Sequence, residues 1–437
     1  MPFRVLLLLD HWVLVGGLGV LCVLGGALVW HGAQHVRLRR VGLAREARLL
    51  SRALPGDAEL PHVLVQIPTF NEAAVVGRAA AAAGELDWPR DKLHIQLLDD
   101  STDGSVEVAR AAVAALRARG VDAALLHRRD RRGFKAAALQ AGLEQSTAEY
   151  VVGLDADFVA PRDFLRRCMR VLLADPGLAF VQARWDSINA DQNALTRAQQ
   201  RIIDLFFYVE IVRSWSGHLV TYHGSGGVWR RAAIDDLGGL RSDILPEDLD
   251  ISLRALLRGW RAEALAATAV PGELPDTMTA WLRQQYRWNN GLAQAMRKYL
   301  PVVWRSGLSA PRKLLVLTHL VNSVFGVLFG TVVTTAVLEA LLTRHLTTTV
   351  LILAAVGAAE ICLGVIGLFL LSQHLLRGAN PWRELPRTLA SIGVFVYAQL
   401  ASMQSLLDAL RGRALVWLPT PKSGVPPPPG RSSPERG

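Results

Sequence analysis

The stretch that decides the fold is the nine-residue run at positions 150–158, which reads YVVGLDADF. Its first five residues are largely apolar, as in a strand that is buried on both faces of a sheet. Asp155 and Asp157 follow, and on an extended chain side chains two residues apart point to the same side. Ligands bind outside the carboxyl ends of strands in open α/β sheets. Two carboxylates there suit a divalent cation that also takes phosphate oxygens, whereas a lone Asp-x-Asp is more often a pair of solvated loop acids.

Strands alternate with alanine-rich helices on both sides of this stretch. Strands are predicted at residues 62–70, 93–99, 123–127, 150–154 and 178–183. Helices are predicted at residues 72–86, 105–119 and 135–145. This alternation predicts an α/β fold with a doubly wound, mostly parallel sheet.

Composition points to membrane segments in addition to this sheet. The chain has 437 residues, of which 51% are hydrophobic, and a net charge of +10. The basic residues cluster beside apolar runs, which favours anionic lipid and the positive-inside rule over nucleic acid. The three cysteines predict neither a disulfide framework nor a zinc site.

Apolar runs predict where the chain crosses the membrane. Residues 13–30 are predicted to be an uncleaved anchor rather than a signal peptide, and the arginines that follow place the next segment in the cytoplasm. Two further spans are predicted at residues 314–342 and 349–372. Residues 388–410 have an amphipathic second half, so they either span or lie in the interface. The proline-rich residues 423–437 are predicted to be disordered.

Acidic and basic residues recur near the predicted carboxyl edge of the sheet. Asp99 and Asp100 end the second strand, where one can cap the following turn and the other can face a ligand. Lys135 opens a helix, where it is either solvated or a partner for nucleotide phosphates. Glu247 and Asp248 start another helix, either as capping acids or as a general base with its neighbour.

A third polar set lies on a helix predicted at residues 277–299. Gln284, Arg287 and Trp288 are three and four residues apart and therefore share one face. Arginine pairs with phosphate and an indole ring stacks on a sugar, although such a face more often covers a core.

In order, these residues resemble the processive family 2 glycosyltransferases with a GT-A (Rossmann-like) fold. The shared motifs are the Pro-Thr-Phe-Asn-Glu run at 68–72, Asp99–Asp100, Lys135, Asp155-x-Asp157, Glu247–Asp248 and Gln284-x-x-Arg287–Trp288. The chain also resembles the cellulose-synthase-like branch that makes glucomannan or mannan, at residues 65–68, 98–103, 181–185 and 226–230. Several motifs in order are far more specific than any one of them. The family's Thr-Glu-Asp motif, however, reads Pro246–Glu247–Asp248 here.

The resemblance implies a role for each of these residues. The donor, a UDP- or GDP-hexose, would be bound by Thr69, Glu72, Asp99, Asp100, Lys135, Asp155, Gln284 and Arg287. Asp155 and Asp157 would hold Mg²⁺ or Mn²⁺. Asp248, beside Glu247, would be the general base, and Arg287 would stabilise the leaving diphosphate. Trp288, Gly226 and Gly227 would frame the acceptor, and Thr420 and Lys422 would form a gating loop.

The implied protein has four parts and spans the cell (inner) membrane several times. A membrane anchor at 1–36 precedes a cytoplasmic GT-A domain at 37–300, transmembrane or interfacial helices at 301–412, and the gating motif and tail at 413–437. It would transfer a hexose, with inversion, to a growing β-glycan: glucan, mannan or glucomannan. Single transfer to a lipid, as in ceramide glucosyltransferases, is the alternative. A nucleotide-sensing receptor or transporter is a remote one, because a sensor needs no base. Oligomeric state and accessory subunits stay open.

Overall fold

The computed structural model describes residues 2–321, 325–343, 347–401, 403–412 and 420–425. They divide into two compact units. One unit draws on the segments Leu38–Trp281 and Trp417–Gly437. The other draws on Met1–Arg37 and Leu282–Val416.

The first unit contains a seven-stranded sheet. Its strands are β1 (Val63–Thr69), β2 (Leu93–Asp99), β3 (Asp122–His127), β4 (Tyr150–Gly153), β5 (Leu178–Ser187), β6 (Gly227–Arg230) and β7 (Arg261–Gly272). Their order across the sheet is β3-β2-β1-β4-β6-β5-β7. Only β6 runs antiparallel to its neighbours, β4 and β5. The prediction of an α/β fold with a mostly parallel sheet is confirmed.

Two strands were not predicted, and both lack the usual sequence signal. β6 has four residues and opens on Gly227, and glycine normally weakens a strand. β7 is rich in alanine and lacks the alternation of a half-buried strand. The antiparallel β6 therefore makes the sheet mixed, which the βα alternation alone does not reveal.

Nine helices of the described residues precede, connect or follow these strands along the chain. They are α1 (Pro2–Leu50), α2 (Ala73–Ala83), α3 (Ser105–Ala118), α4 (Phe134–Glu144), α5 (Phe164–Ala174), α6 (Ala194–Trp215), α7 (Arg231–Asp236), α8 (Glu247–Arg258) and α9 (Met278–Arg305). The main core lies between the sheet and α2, α3 and α5. The buried faces of α2 carry alanines such as Ala79 and Ala80, whose short side chains allow close packing on the sheet.

The second unit contains helices that follow α9. They are α10 (Ala310–Val321), α11 (Phe325–Thr343), α12 (Thr348–Ile361), a π-helical turn (Cys362–Ile366), α13 (Gly367–Arg377), α14 (Pro381–Ala401) and α15 (Met403–Leu410). Among the described residues, three helices are long and apolar enough to cross a membrane, namely Asp10–Leu50, Thr348–Arg377 and Pro381–Ala409.

These helices can be compared with the predicted spans. The spans predicted at 13–30 and 349–372 lie within the first two candidates, and the open stretch 388–410 overlaps the third. The described residues of the span predicted at 314–342 lie in α10 and α11, and residues 322–324 lie outside the described part. This span stays a prediction.

Polar groups in the second unit face other helices of that unit. The Nδ1 atom of His11 lies 3.2 Å from Oε1 of Glu339. Glu360 faces Gly25 of α1, where a Cβ atom would lie 2.8 Å from the Glu360 Cβ atom. Carboxylates in apolar helices face such interior partners because exposure to hydrocarbon is costly.

Candidate functional site

The two aspartates of the opening motif lie in a turn rather than on an extended strand. β4 ends at Gly153, and the backbone N–H of Phe158 donates to the carbonyl of Asp155 at 3.0 Å. The prediction that the two side chains point to the same side of an extended chain is therefore wrong. The two carboxylates are nevertheless close enough that the charge of Asp157 raises the pKa of Asp155, after the larger effect of burial.

Lys135 joins three parts of the site through its ammonium group. Its Nζ atom donates to Oδ1 of Asp155 at 2.6 Å and to the carbonyl of Gly224 at 3.0 Å, and lies 3.4 Å from Oε1 of Glu247. Burial lowers the pKa of Lys135, but Asp155 and Glu247 raise it by more, so the pKa lies well above its usual value. Only 23% of the side chain is exposed, so the default expectation of a solvated lysine is wrong.

Asp248 lies beside this lysine in the first turn of α8. Its Oδ1 atom accepts the N–H of Leu249 at 2.7 Å. Burial first, and the charge of Glu247 second, raise the pKa of Asp248 to about 7. Such a pKa suits a general base, because a base works best when its pKa is near the working pH.

Gly224 allows the backbone to pass between the lysine and the aspartate. Its φ of 77° favours glycine, and an added Cβ atom would lie 3.1 Å from both Oδ2 of Asp248 and Nζ of Lys135. The next residue, Ser225, accepts the N–H of Asp155 on its Oγ atom at 3.0 Å. The loop before β6 therefore connects the opening motif with α8.

Asp99 and Asp100 have different surroundings. Asp99 is fully buried, with Oδ2 2.7 Å from Nδ1 of His127, and it accepts the N–H of Ser101 at 3.3 Å. Asp100 accepts two hydrogen bonds from the guanidinium of Arg128, at 2.8 and 2.6 Å. Asp99 therefore holds the turn together, and the nucleotide-binding roles of both aspartates stay predictions.

Thr69 and Glu72 flank the end of β1. The Oγ1 atom of Thr69 is buried and has no hydrogen-bond partner among the described residues. Buried polar groups normally have a partner, so this atom is as expected for a group whose partner is a ligand. Burial, Asp157 and then Asp155 raise the pKa of Glu72 to about 7. The loop after β1 thus faces the same acids as the end of β4.

The predicted gating residues lie in the same unit as this sheet edge. Lys422 donates from Nζ to Oδ2 of Asp157 and to the carbonyl of Glu273, the latter at 2.5 Å. Thr420 is buried. Residues 417–419 of the motif lie outside the described residues, as do residues 426–437 of the tail.

The contacts of the described residues do not test the roles predicted for the acceptor residues or for Gln284 and Arg287. Gly226 and Gly227 are buried, and a Cβ atom on Gly227 would lie 2.7 Å from the ring of Tyr222, so packing already explains one of them. Gln284, Arg287 and Trp288 lie on α9 in the second unit, where Trp288 is 39% exposed. The roles of all five stay predictions.

The residues at the end of β4 fit a divalent cation. No group of three or more histidine, cysteine or acidic side chains with metal-binding geometry occurs in the described residues. Magnesium-type sites, however, often use only one or two carboxylates together with substrate phosphates. Asp155 and Asp157 each pair with a lysine ammonium through one oxygen, Asp155 with Lys135 and Asp157 with Lys422.

Sequence reasoning missed Arg128, Gly224, Ser225, Arg78 and Glu273. Glu273 follows β7, which was not predicted. Arg78 lies in an alanine-rich helix, where an arginine is normally expected to face solvent. Gly224 and Ser225 directly precede Gly226 and Gly227, which the resemblance assigns only to the acceptor. Only the tertiary fold brings these residues to the site.

The fold and the acid–lysine cluster define a glycosyltransferase. Residues 150–370, about half of the chain, match the family model described as glycosyl transferase family group 2. The chain belongs to this family.

Two glucomannan 4-beta-mannosyltransferases are similar to more than half of this chain. Glucomannan 4-beta-mannosyltransferase 2 of Arabidopsis thaliana is 41% identical over 256 residues, which are 57% of this chain and 48% of the relative. Glucomannan 4-beta-mannosyltransferase 1 of Oryza sativa subsp. japonica is 39% identical over 256 residues, 57% and 49% of the two chains. The chain thus spans about half the length of the curated relatives it matches.

A solved structure supports the fold. It is the mannosyltransferase PcManGT from Pyrobaculum calidifontis in complex with GDP-Man and Mn²⁺, with a TM-score of 0.57 and 23% identity. The match covers 90% of this chain and 100% of that one. The predicted GT-A fold is confirmed.

Proposed function

We propose that this chain is a membrane-bound, inverting hexosyltransferase that extends a β-glycan from a nucleotide diphosphate sugar. The observation that carries the proposal is the contact of Lys135 with both Asp155 and Glu247, which joins the donor-side acid to the Glu247–Asp248 pair. The relatives are glucomannan 4-beta-mannosyltransferases and a mannosyltransferase solved with GDP-Man, which favours GDP-mannose as donor and a mannan or glucomannan as acceptor. UDP- and GDP-glucose are the next donors to test.

In the proposed reaction Asp248 accepts a proton from an acceptor hydroxyl. The oxygen then attacks the anomeric carbon, and the bond to the nucleotide diphosphate breaks with inversion at that carbon. A divalent cation bound by Asp155 and Asp157 would neutralise charge on the diphosphate. Lys135 fixes the donor-side acid. The resemblance assigns Gln284 and Arg287 to the leaving group and Trp288 to the acceptor sugar.

The location follows from the apolar helices and the donor. We propose a multi-pass protein of the cell (inner) membrane whose sheet-containing unit faces the cytoplasm, where nucleotide sugars are made available. The candidate spans and the arginines after residue 36 support this orientation. Membrane lipids are then partners of the second unit.

Product analysis tests the proposed function. Purified protein in lipid nanodiscs would be incubated with radiolabelled GDP-mannose, GDP-glucose and UDP-glucose, each with a short β-mannan primer and without one. A glycan longer than the primer by several hexoses is expected. A single-sugar glycolipid from every active donor would contradict the polymerase proposal and favour the lipid glycosyltransferase.

The pH dependence of the reaction should report Asp248. The carboxylate form is the base, and its pKa is raised to about 7, so the base is protonated and inactive at lower pH. We expect kcat/KM to rise tenfold per pH unit below about 7 and to level off above it. The pH profile of initial rates measures this, and a profile that is flat from pH 5 to 8 would count against Asp248.

Replacing Trp288 should separate polymerisation from donor use. In Trp288→Ala the acceptor loses an aromatic face for stacking, while the donor keeps its own contacts. We expect loss of polymer but retention of nucleotide-sugar binding and of some donor hydrolysis. Sizing of labelled products, with Trp304→Ala as a control for loss of an exposed indole, tests this. Polymer of unchanged length would contradict the stacking role.

A further inference from the structure

A buried carboxylate after β7 binds the C-terminal segment. The side chain of Glu273 is only 1% exposed. Its Oε1 atom accepts hydrogen bonds from the N–H of Ser423 at 2.6 Å, the hydroxyl of Ser423 at 3.0 Å and the N–H of Gly424 at 3.1 Å. Three donors from two consecutive residues thus converge on one oxygen.

Arg78 of α2 completes the arrangement from the other side. Its guanidinium donates to Oε2 of Glu273 at 2.9 Å and also to the carbonyl of Val425. Glu273 therefore accepts hydrogen bonds from the C-terminal segment, Arg78 donates one to it, and the two side chains are paired with each other. A buried carboxylate is costly unless its oxygens are satisfied, so without the segment Glu273 would lose the donors on one oxygen.

The shape of the segment also matches this site. Gly424 has a φ of 69°, and an added Cβ atom would lie 2.8 Å from the carbonyl of Ala74. Both the backbone conformation and the close approach to α2 therefore favour glycine at this position. Neighbouring backbone N–H groups that point to one anion form a recognised type of anion-binding concavity.

We infer that Arg78 and Glu273 form a docking site for residues 420–425 and that docking positions Lys422 on Asp157. Neither residue belongs to the set assigned to the reaction, and both act through the segment, so they are positioning residues. The inference deepens the proposed function and rests on it only for the role of Asp157. If Asp157 lies at the diphosphate of the donor as proposed, the docked segment holds the ammonium group of Lys422 there too.

Hydrogen exchange of the backbone amides tests the docking site directly. The full chain in nanodiscs would be compared with Glu273→Gln, Gly424→Ala and the double variant. The amides of Ser423 and Gly424 are expected to exchange at least about 10-fold faster in either single variant, since each opens the same contact. The matched control is Glu85→Gln, which removes a half-exposed acid paired with Arg119 and should change neither amide.

Kinetics separate positioning from a general structural role. We expect kcat/KM for the nucleotide sugar to fall about 10-fold in each single variant and no further in the double variant, because coupled residues are not additive. Unchanged exchange at both amides in Glu273→Gln, or multiplicative losses in the double variant, would overturn the inference. If Glu273→Gln does not fold, Gly424→Ala decides through the exchange of Ser423. If no donor gives activity, the proposed function fails while the exchange result still decides the docking site.

Discussion

Asp248→Asn is expected to lower kcat by roughly 10²- to 10⁴-fold, the usual contribution of a general base. Asparagine keeps an oxygen that can accept the N–H of Leu249, so the start of α8 should be preserved. Only the ability to take a proton is removed. Initial rates at saturating donor and acceptor measure the effect, and nucleotide binding should stay within a few-fold.

Two results qualify the assignment of this base. Asp235→Asn, an exposed acid on α7, serves as the control and should leave the rate unchanged. If Asp248→Asn turns over at the normal rate, the base lies elsewhere, and Glu247 is then the next residue to replace because it also contacts Lys135.

Removal of divalent metal should abolish turnover. Charge on the departing diphosphate must be neutralised, and cation stabilisation of this kind contributes on the order of several kcal/mol. We expect chelator to stop transfer, excess Mn²⁺ or Mg²⁺ to restore it, and Asp157→Asn to lose at least about 100-fold in kcat/KM. Binding of Mn²⁺ with GDP, followed by electron paramagnetic resonance, gives a readout that does not depend on turnover.

The control for metal dependence must account for the contact between Asp157 and Lys422. Asp157→Asn also removes the contact with Lys422, whereas chelation leaves that contact in place. Asp163→Asn, a partly exposed acid before α5, is the matched substitution and should have no effect. Full turnover in chelator would mean that lysines alone neutralise the diphosphate.

The sequence predicts the sheet well because its signals are local. β1, β2 and β4 are apolar runs with clear ends, and the acids after them can be read directly. β6 and β7 have no such signal, because glycine and alanine fit their sites for reasons of packing. Gly227 at the start of β6, for example, makes room for the ring of Tyr222.

The candidate site is predictable in its residue types but not in its connections. The acids and Lys135 stand at the right strand ends, yet their pairing depends on contacts between distant segments. Lys135 meets Gly224 and Glu247, and Asp157 meets Lys422 across more than half of the chain. These contacts also correct two expectations, a solvated Lys135 and an extended Asp155-x-Asp157.

The contact between Lys422 and Asp157 constrains the proposed membrane topology by parity. Both residues belong to one compact unit, so if that unit faces the cytoplasm as proposed, the chain between residues 282 and 416 must cross the bilayer an even number of times. Two stretches there are helices long and apolar enough to cross, Thr348–Arg377 and Pro381–Ala409, and the sequence predicts a third at 314–342. An even number of crossings would leave at least one of the three along the interface. If Pro381–Ala409 is the interfacial one, a cysteine at position 379 faces the cytoplasm. If 314–342 is interfacial, an impermeant reagent labels that cysteine from outside intact cells.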